Sequence, residues 1–298
     1  MYDVVIIGGG PAGLSAGMYT ARRGLKTAVI SLDIGGQITK TSEIENYPGL
    51  GLITGAELAK KIFDQSKNFG VEFIFSEAKS IEKKDDVFVV QTSAKEVQGK
   101  TLILALGKKP RELGVPGEEK LKGHGVSYCA TCDAPFFKGK ILSIVGDGNS
   151  AVSAAITAAA FAKQVNILSK REVFKAEEAL MEKLSALKNI EIINNVQVAE
   201  ILGDKKVESI KLNNGKEVTS DGILIEIGYV VDRRLFENIV KIDEKGQIVC
   251  DPAQATSVPG LFAAGDVTNS PYKQIVIAAG EGAKAALSCF AYLQKIKK

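Results

Sequence analysis

Two kinds of apolar pattern run along the chain. Val4-Val5-Ile6-Ile7, Thr101 to Leu106 and Ile141 to Val145 are continuous runs without a polar face. Such runs predict strands buried on both sides of a parallel sheet. Thr27 to Ile30 and Val165 to Leu168 predict further strands of the same sheets. Residues 56–69 place Leu58, Ala59, Ile62, Phe63 and Phe69 at helical spacing, which predicts an amphipathic helix. Helices are also predicted from Leu14 to Arg23, over the alanine-rich stretch 151–162, and from Gln274 to Leu293. Short strands are expected at 73–75, 80–83, 87–92, 191–193, 207–212 and 223–227, the last ending in a turn at Gly228. Pro259 to Val267 reads as an apolar strand closing on Gly265-Asp266.

Two of the buried strands run into glycine turns. Gly8-Gly9-Gly10-Pro11-Ala12-Gly13 follows the first strand and opens a helix. Gly146-Asp147-Gly148-Asn149-Ser150-Ala151 does the same after Val145. In this strand–turn–helix context the first glycine makes the turn and the second lets a pyrophosphate reach the backbone. The third position lets helix and strand pack closely, with the phosphates at the positive helix end. An ordinary tight turn is the plain alternative for each, but two such turns in one chain imply two dinucleotides. An acid at the end of the second strand holds a ribose in the general pattern. Here Ser31 stands there, with Asp33 just beyond. After the strand ending at Leu168 come Ser169-Lys170-Arg171, with Lys175 one turn on. Basic groups there suit the 2′-phosphate of NADP; a solvated basic helix start is the alternative. Gly35-Gly36-Gln37-Ile38 and Asn46 offer close backbone approach and amides to a flat ligand, or are simply a polar loop.

Composition narrows the function. The chain has 298 residues, 45% of them hydrophobic, enough for about two domains with sizeable cores. The net charge of +3 is spread among acids, which argues against nucleic acid or a membrane surface as a partner. No signal peptide is read at Met1, and no apolar run is expected to span a membrane, so a cytoplasmic protein is expected. Cys250 and Cys289 lie in apolar segments and are expected to pack as small hydrophobes. Cys129 and Cys132 stand in Ser127-Tyr128-Cys129-Ala130-Thr131-Cys132-Asp133. That spacing permits a small-ring disulfide or exposed thiolates. Half of a zinc site is the alternative, with His124 nearby, but a structural zinc needs four ligands and no second pair exists in the sequence, so no metal is expected.

Taken in order, these motifs resemble the small, two-domain thioredoxin reductases of bacteria and archaea. Gly8 to Gly13, Gly35-Gly36-Gln37, Glu45-Asn46-Tyr47-Pro48-Gly49, Cys129-Ala130-Thr131-Cys132-Asp133, Gly146 to Ala151 and Gly265-Asp266-Val267 carry the resemblance across the whole chain. It implies an α/β protein of two Rossmann-like dinucleotide-binding domains, the second inserted in the first. FAD belongs to residues 1–112 and 237–298, and a nicotinamide nucleotide with the redox cysteines belongs to 113–236. By the same resemblance Gly265 and Asp266 hold FAD, and Lys273-Gln274-Ile275 lies against the flavin ring. The family has arginine at Lys273, and Ala105-Leu106-Gly107 stands where it often has Ala-Thr-Gly. Gly228 joins Lys170, Arg171 and Lys175 among the expected nucleotide contacts. The family also shows glycine at Asp147 and acids at Ser153 and Ala154. A carboxylate at Asp147 repels a pyrophosphate unless it points away.

The resemblance further implies electron flow from NADPH through FAD to the Cys129–Cys132 disulfide and on to oxidised thioredoxin. Cys132 then faces the flavin, Cys129 attacks the partner disulfide, and Asp133 is the acid–base group. A homodimer is implied, as is rotation of the middle domain about loops near 111–117 and 229–237. NADH or reduced ferredoxin are the other donors considered. A non-catalytic flavin redox sensor is the rival from another class.

Overall fold

The computed structural model describes residues 1–41 and 44–296. It divides into two compact units. One comprises residues 1–109 and 231–298, the other residues 110–230. The sequence reading set both breaks a few residues later.

The first unit begins with strand β1 (Tyr2–Ile7), helix α1 (Pro11–Arg22) and strand β2 (Thr27–Ser31). Helix α2 (Gly55–Asn68) follows, started by a capping box in which the Thr54 hydroxyl accepts the Glu57 N–H and the Glu57 carboxylate accepts the Thr54 N–H. Strands β3 (Glu72–Phe75), β4 (Ala78–Lys84), β5 (Val87–Thr92) and β6 (Glu96–Leu104) complete this stretch. Short strand β7 (Lys109–Pro110) leads out of the unit. The second unit holds β8 (Val126–Ser127), the short helix α3 (Ala130–Asp133), β9 (Ile141–Val145) and α4 (Asn149–Ala159). It continues with β10 (Gln164–Leu168), α5 (Glu178–Ser185), β11 (Ile190–Ile193), β12 (Val198–Leu202), β13 (Ser209–Leu212), β14 (Glu217–Thr219) and β15 (Gly222–Ile225). After β16 (Tyr229–Val230) the chain returns to the first unit for β17 (Leu261–Ala263) and α6 (Ile275–Ile296).

In the first unit β3, β2, β1, β6 and β17 lie side by side and parallel, and the β4–β5 hairpin continues antiparallel from β6. β6 therefore has two characters. Its first half pairs with β5 and its second half with β17, so it begins at Glu96, ahead of the apolar run that starts at Thr101. Successive residues of β1 point to opposite faces. Val4 and Ile6 pack with Ala12 and Ala16 of α1 and with Ala285, Ala286 and Cys289 of α6. Val5 and Ile7 pack with Phe88, Phe236 and Ile248. Each such fully buried aliphatic side chain contributes roughly 1.5–3 kcal/mol. Helix α6 has 22 residues and contains an 18-residue stretch of mean hydropathy 1.3, long and apolar enough by length and composition alone to cross a membrane, a property that core helices share. Its small residues serve packing: a Cβ on Gly282 would fall 2.0 Å from the carbonyl oxygen of Ala12.

In the second unit β11, β10, β9, β15 and β8 form a parallel sheet, and β12, β13 and β14 a separate antiparallel one. Leu142 and Ile144 of β9 pack under the alanine face of α4. Val145, Ile223 and Ile225 pack instead with Val198, Ile201, Ile210 and Leu212 of the smaller sheet. Both glycine turns thus sit at the carboxyl end of a central parallel strand, where a helix starts.

Candidate active site

The cysteine pair sits between β8 and α3. Cys129 and Cys132 form a disulfide with Cα atoms 5.4 Å apart. Cys129 has extended backbone and caps α3, and the Cys132 N–H donates to its Sγ at 3.3 Å. Cys132 is exposed and Cys129 half-buried. Asp133 is held close by two contacts: its N–H donates to the Cys129 carbonyl at 3.1 Å, and its carboxylate accepts the Ser127 hydroxyl. Ser127 in turn accepts the Cys129 N–H at 3.1 Å. This buried serine was missed in the sequence, where its position at the head of the stretch was the only signal. Beside it opens a cleft of about 310 Å³ lined by His124, Ser127, Asp133, Phe136, Lys140 and Lys206.

Tyr128 faces the other way. Its hydroxyl donates to Glu118 at 2.7 Å, and burial first, then Glu118, pushes its pKa above the ordinary tyrosine value. Glu118 is only 4% exposed and also accepts the N–H groups of Leu113 (3.0 Å) and Gly114 (2.7 Å). The segment expected to act as a hinge, 111–117, is therefore fastened from residue 113 onward.

In the first unit the glycine turn has one crowded side and one open side. Gly8 has φ +118°, and a Cβ there would lie 2.2 Å from the Ala105 carbonyl oxygen. A Cβ on Gly13 would lie 1.8 Å from the Gly8 carbonyl oxygen. On Gly10, Gly36 or Gly107 it would meet nothing closer than 3.7 Å. The N-terminus of α1 has no side-chain cap and no acid in its first turn, which leaves its N–H groups free for an anion. These features fit a dinucleotide such as FAD, and several of the expected residues are hydrogen-bonded to the turn or to one another. Ser31 accepts the Gly9 N–H at 2.9 Å, so it supports the turn. The Gly35 N–H donates to the Gly9 carbonyl at 2.7 Å, the Gln37 amide to the Lys108 carbonyl at 2.9 Å, and the Asn46 amide to Gln274 at 3.3 Å. Ile38 and Ile275 pack together beneath.

Gly265 lies against the start of α1: a Cβ on it would be 2.9 Å from that of Ala12. Its N–H donates to Glu281 at 2.8 Å. Glu281 is buried in α6 and was not singled out in the sequence, where a lone acid between Gly280 and Gly282 in an apolar helix was the available sign. Burial raises the Asp266 pKa, with Lys273 and Lys108 opposing. Burial, then the nearby Lys108, lowers that of Lys273, whose ammonium donates to the Thr268 carbonyl at 2.7 Å.

The second unit repeats the turn with one change. A Cβ on Gly146 (φ +147°) would meet the Glu226 carbonyl oxygen at 2.3 Å and the Ala151 Cβ at 2.8 Å, so turn and helix are tightly joined. Helix α4 also lacks a side-chain cap and a first-turn acid. Asn149 is bonded both ways to Glu177, at 2.8 Å each, and the Lys175 N–H donates to the Asp147 carbonyl at 2.7 Å. These bonds bring residues 169–177 over the turn. Ser150, Lys170 and Lys175 are exposed there. Arg171 is not free: its guanidinium lies 3.5 Å from Asp147 Oδ1. Gly228 stands apart from these contacts, its carbonyl accepting the Arg111 N–H at 2.8 Å. Among the described residues no group of three or more His, Cys, Asp or Glu is placed to hold a metal.

Comparison with known proteins agrees with this arrangement of two glycine turns and a cysteine pair. The thioredoxin reductase of Listeria innocua is 39% identical over 305 residues, covering 100% of this chain and 96% of that protein. An NADH dehydrogenase of Bacillus subtilis is 40% identical over 98% of this chain, but the chain spans only 58% of that protein's length. The crystal structure of Lactococcus lactis thioredoxin reductase matches with a TM-score of 0.89 and 37% identity, covering 99% of this chain and 100% of that one. The profile of one family, described as pyridine nucleotide-disulphide oxidoreductase, runs over residues 2–282. A match of that extent, over both turns and the disulfide, makes this chain a member of the pyridine nucleotide-disulphide oxidoreductase family.

Proposed function

We propose that the chain is a flavin-dependent reductase of the disulfide in a thioredoxin-like protein, with a reduced pyridine nucleotide as electron source. The observation that carries this reading is the Cys129–Cys132 disulfide set against the Ser127–Asp133 pair. Gly10, Gly36 and Gly107 would border bound FAD, which would supply a two-electron relay between nucleotide and disulfide. The chain's own residues do the rest. The uncapped N–H groups of α1 would orient the pyrophosphate of FAD, and Glu281 holds the Gly265-Asp266 turn in place.

In the reduced form Cys129 is the attacking thiol. The Cys132 N–H directed at its Sγ favours the thiolate. Its sulfur joins one sulfur of the partner disulfide, and the other leaves as a thiolate. Cys132 then attacks Cys129, which restores the internal disulfide and releases the second partner thiolate. One protein pair of thiols is oxidised and one partner disulfide reduced. Asp133, oriented by Ser127, relays the protons between departing and attacking sulfurs.

The test uses FAD-loaded protein reduced photochemically without oxygen and mixed with oxidised thioredoxin. Wild type is expected to release thioredoxin thiols. Cys129→Ser is expected to release none while still accepting electrons at the flavin. Full thioredoxin reduction by Cys129→Ser overturns the assignment.

A further inference from the structure

The second glycine turn carries a carboxylate where close approach to phosphate is needed. We propose that Asp147 selects the electron donor, turning this site away from NADPH and toward NADH. The inference rests on the reading of the second turn as the nucleotide site.

The backbone of Asp147 is held in the turn. Gly146 fixes the backbone before it, the Lys175 N–H holds its carbonyl at 2.7 Å, and Gly148 is bridged to Lys175. The side chain is only 14% exposed. Oδ1 lies 3.5 Å from Arg171, the one arginine among the basic groups suited to a 2′-phosphate. Oδ2 is buried and has no hydrogen-bond partner, so the carboxylate's charge is offset only at Oδ1. A phosphate monoester beside Arg171 meets a fixed negative charge and a cation already paired. A ribose diol carries no charge for the carboxylate to repel and needs no free guanidinium.

The usual ribose acid is replaced here. At the end of β10, where an acid marks preference for NAD, stands buried Ser169. Its hydroxyl is spent on the loop, donating to the Arg171 carbonyl at 2.8 Å and accepting the Arg171 N–H at 3.1 Å. Asp147 supplies the missing carboxylate from the other side of the turn. Lys170 and Lys175 remain basic but exposed, where water and salt screen their pull on a 2′-phosphate.

The experiment measures dissociation constants of NAD⁺ and NADP⁺ by calorimetry on FAD-loaded full-length protein. Variants are Asp147→Gly, near-isosteric Asp147→Asn, Arg171→Ala and the double variant Asp147→Gly/Arg171→Ala. Wild type is expected to bind NAD⁺ more tightly. Both Asp147 variants are expected to move the ratio of the two constants toward NADP⁺ by about tenfold, the scale of one charge pair at a partly desolvated site. Removing Arg171 is expected to weaken NADP⁺ more in the Asp147→Gly background than in wild type, since only there is the guanidinium free. A wild type that favours NADP⁺, a ratio unmoved by both Asp147 variants, or no binding of either nucleotide overturns the proposal. None of these touches the thiol chemistry, which photochemical reduction tests without any nucleotide.

Discussion

Replacing Glu118 by glutamine keeps the shape of the staple and removes half of its acceptor capacity. Oε1 serves both Leu113 N–H and the Tyr128 hydroxyl, and Oε2 serves Gly114 N–H. An amide has one oxygen, so either orientation turns an NH₂ group toward a backbone N–H. The Tyr128 hydroxyl can rotate and accept instead, but the backbone donors cannot. With the oxygen toward Gly114, the half-buried Leu113 donor is orphaned, at about 1–3 kcal/mol. With the oxygen toward Leu113, the loser is Gly114, which is exposed and can turn to water at the low end of that range. The amide therefore settles toward Leu113, and the expected loss is about 1–2 kcal/mol. Because the two units need not unfold together, a single melting temperature is a poor readout. Hydrogen exchange at the Leu113 and Gly114 amides reads the loss locally, with Gly114 accelerated by about tenfold. Tyr128→Phe, which deletes only the hydroxyl, should leave Gly114 protected. Unchanged exchange at both amides in Glu118→Gln would refute the idea that this carboxylate fastens the segment.

Three other outcomes follow from the same geometry. Asp133→Asn should slow thiol–disulfide exchange with thioredoxin by about 10²-fold or more, in stopped-flow measurements on pre-reduced protein, while the internal disulfide still forms. Ser127→Ala should give a smaller defect with an altered pH profile, since it orients Asp133 and carries no proton of the exchange. Burial pushes the Cys250 and Cys289 thiols up to about 12, so iodoacetamide near neutral pH should label only Cys129 and Cys132 in the reduced native protein. Because these folded-state values lie above the ordinary 9.0, the stability they contribute is complete below that pH and is lost as pH climbs toward 12, which urea titrations across that range would show.

The parts of the fold easiest to read in the sequence are those buried on both sides. Val4 to Ile7 and Ile141 to Val145 have no polar residue to confuse the period except Ser143, which is itself fully buried. The glycine turns are legible because sterics leave no alternative at Gly8, Gly13 and Gly146. Legibility fails where one face meets water. The first half of β6 and β14 are short strands with an exposed glutamate each, β12 alternates buried Val198 and Ile201 with exposed Ala199 and half-buried Glu200, and α5 buries only Leu184. The supporting acids escaped for another reason. Glu118 and Glu281 act on backbone N–H groups, and no side-chain pattern marks an amide that needs a partner. Asp147 drew notice as a misfit. Its partner, Arg171, is reached only by folding β10 alongside β9, so the sequence could state the repulsion but not where the carboxylate points.

The pairing of β17 with the second half of β6 has a consequence for synthesis. A nascent chain leaving the ribosome delivers β1 to β6 first, then the whole inserted unit, and only afterwards Leu261 to Ala263 and α6. Until then one edge of Leu102 to Leu104 has no neighbour and the α6 side of the sheet is uncovered. The inserted unit, contiguous in sequence, can close while still tethered. Translation therefore completes the protein from the inside outward, and a pause before residue 261 leaves a sticky half-built sheet for chaperones to guard.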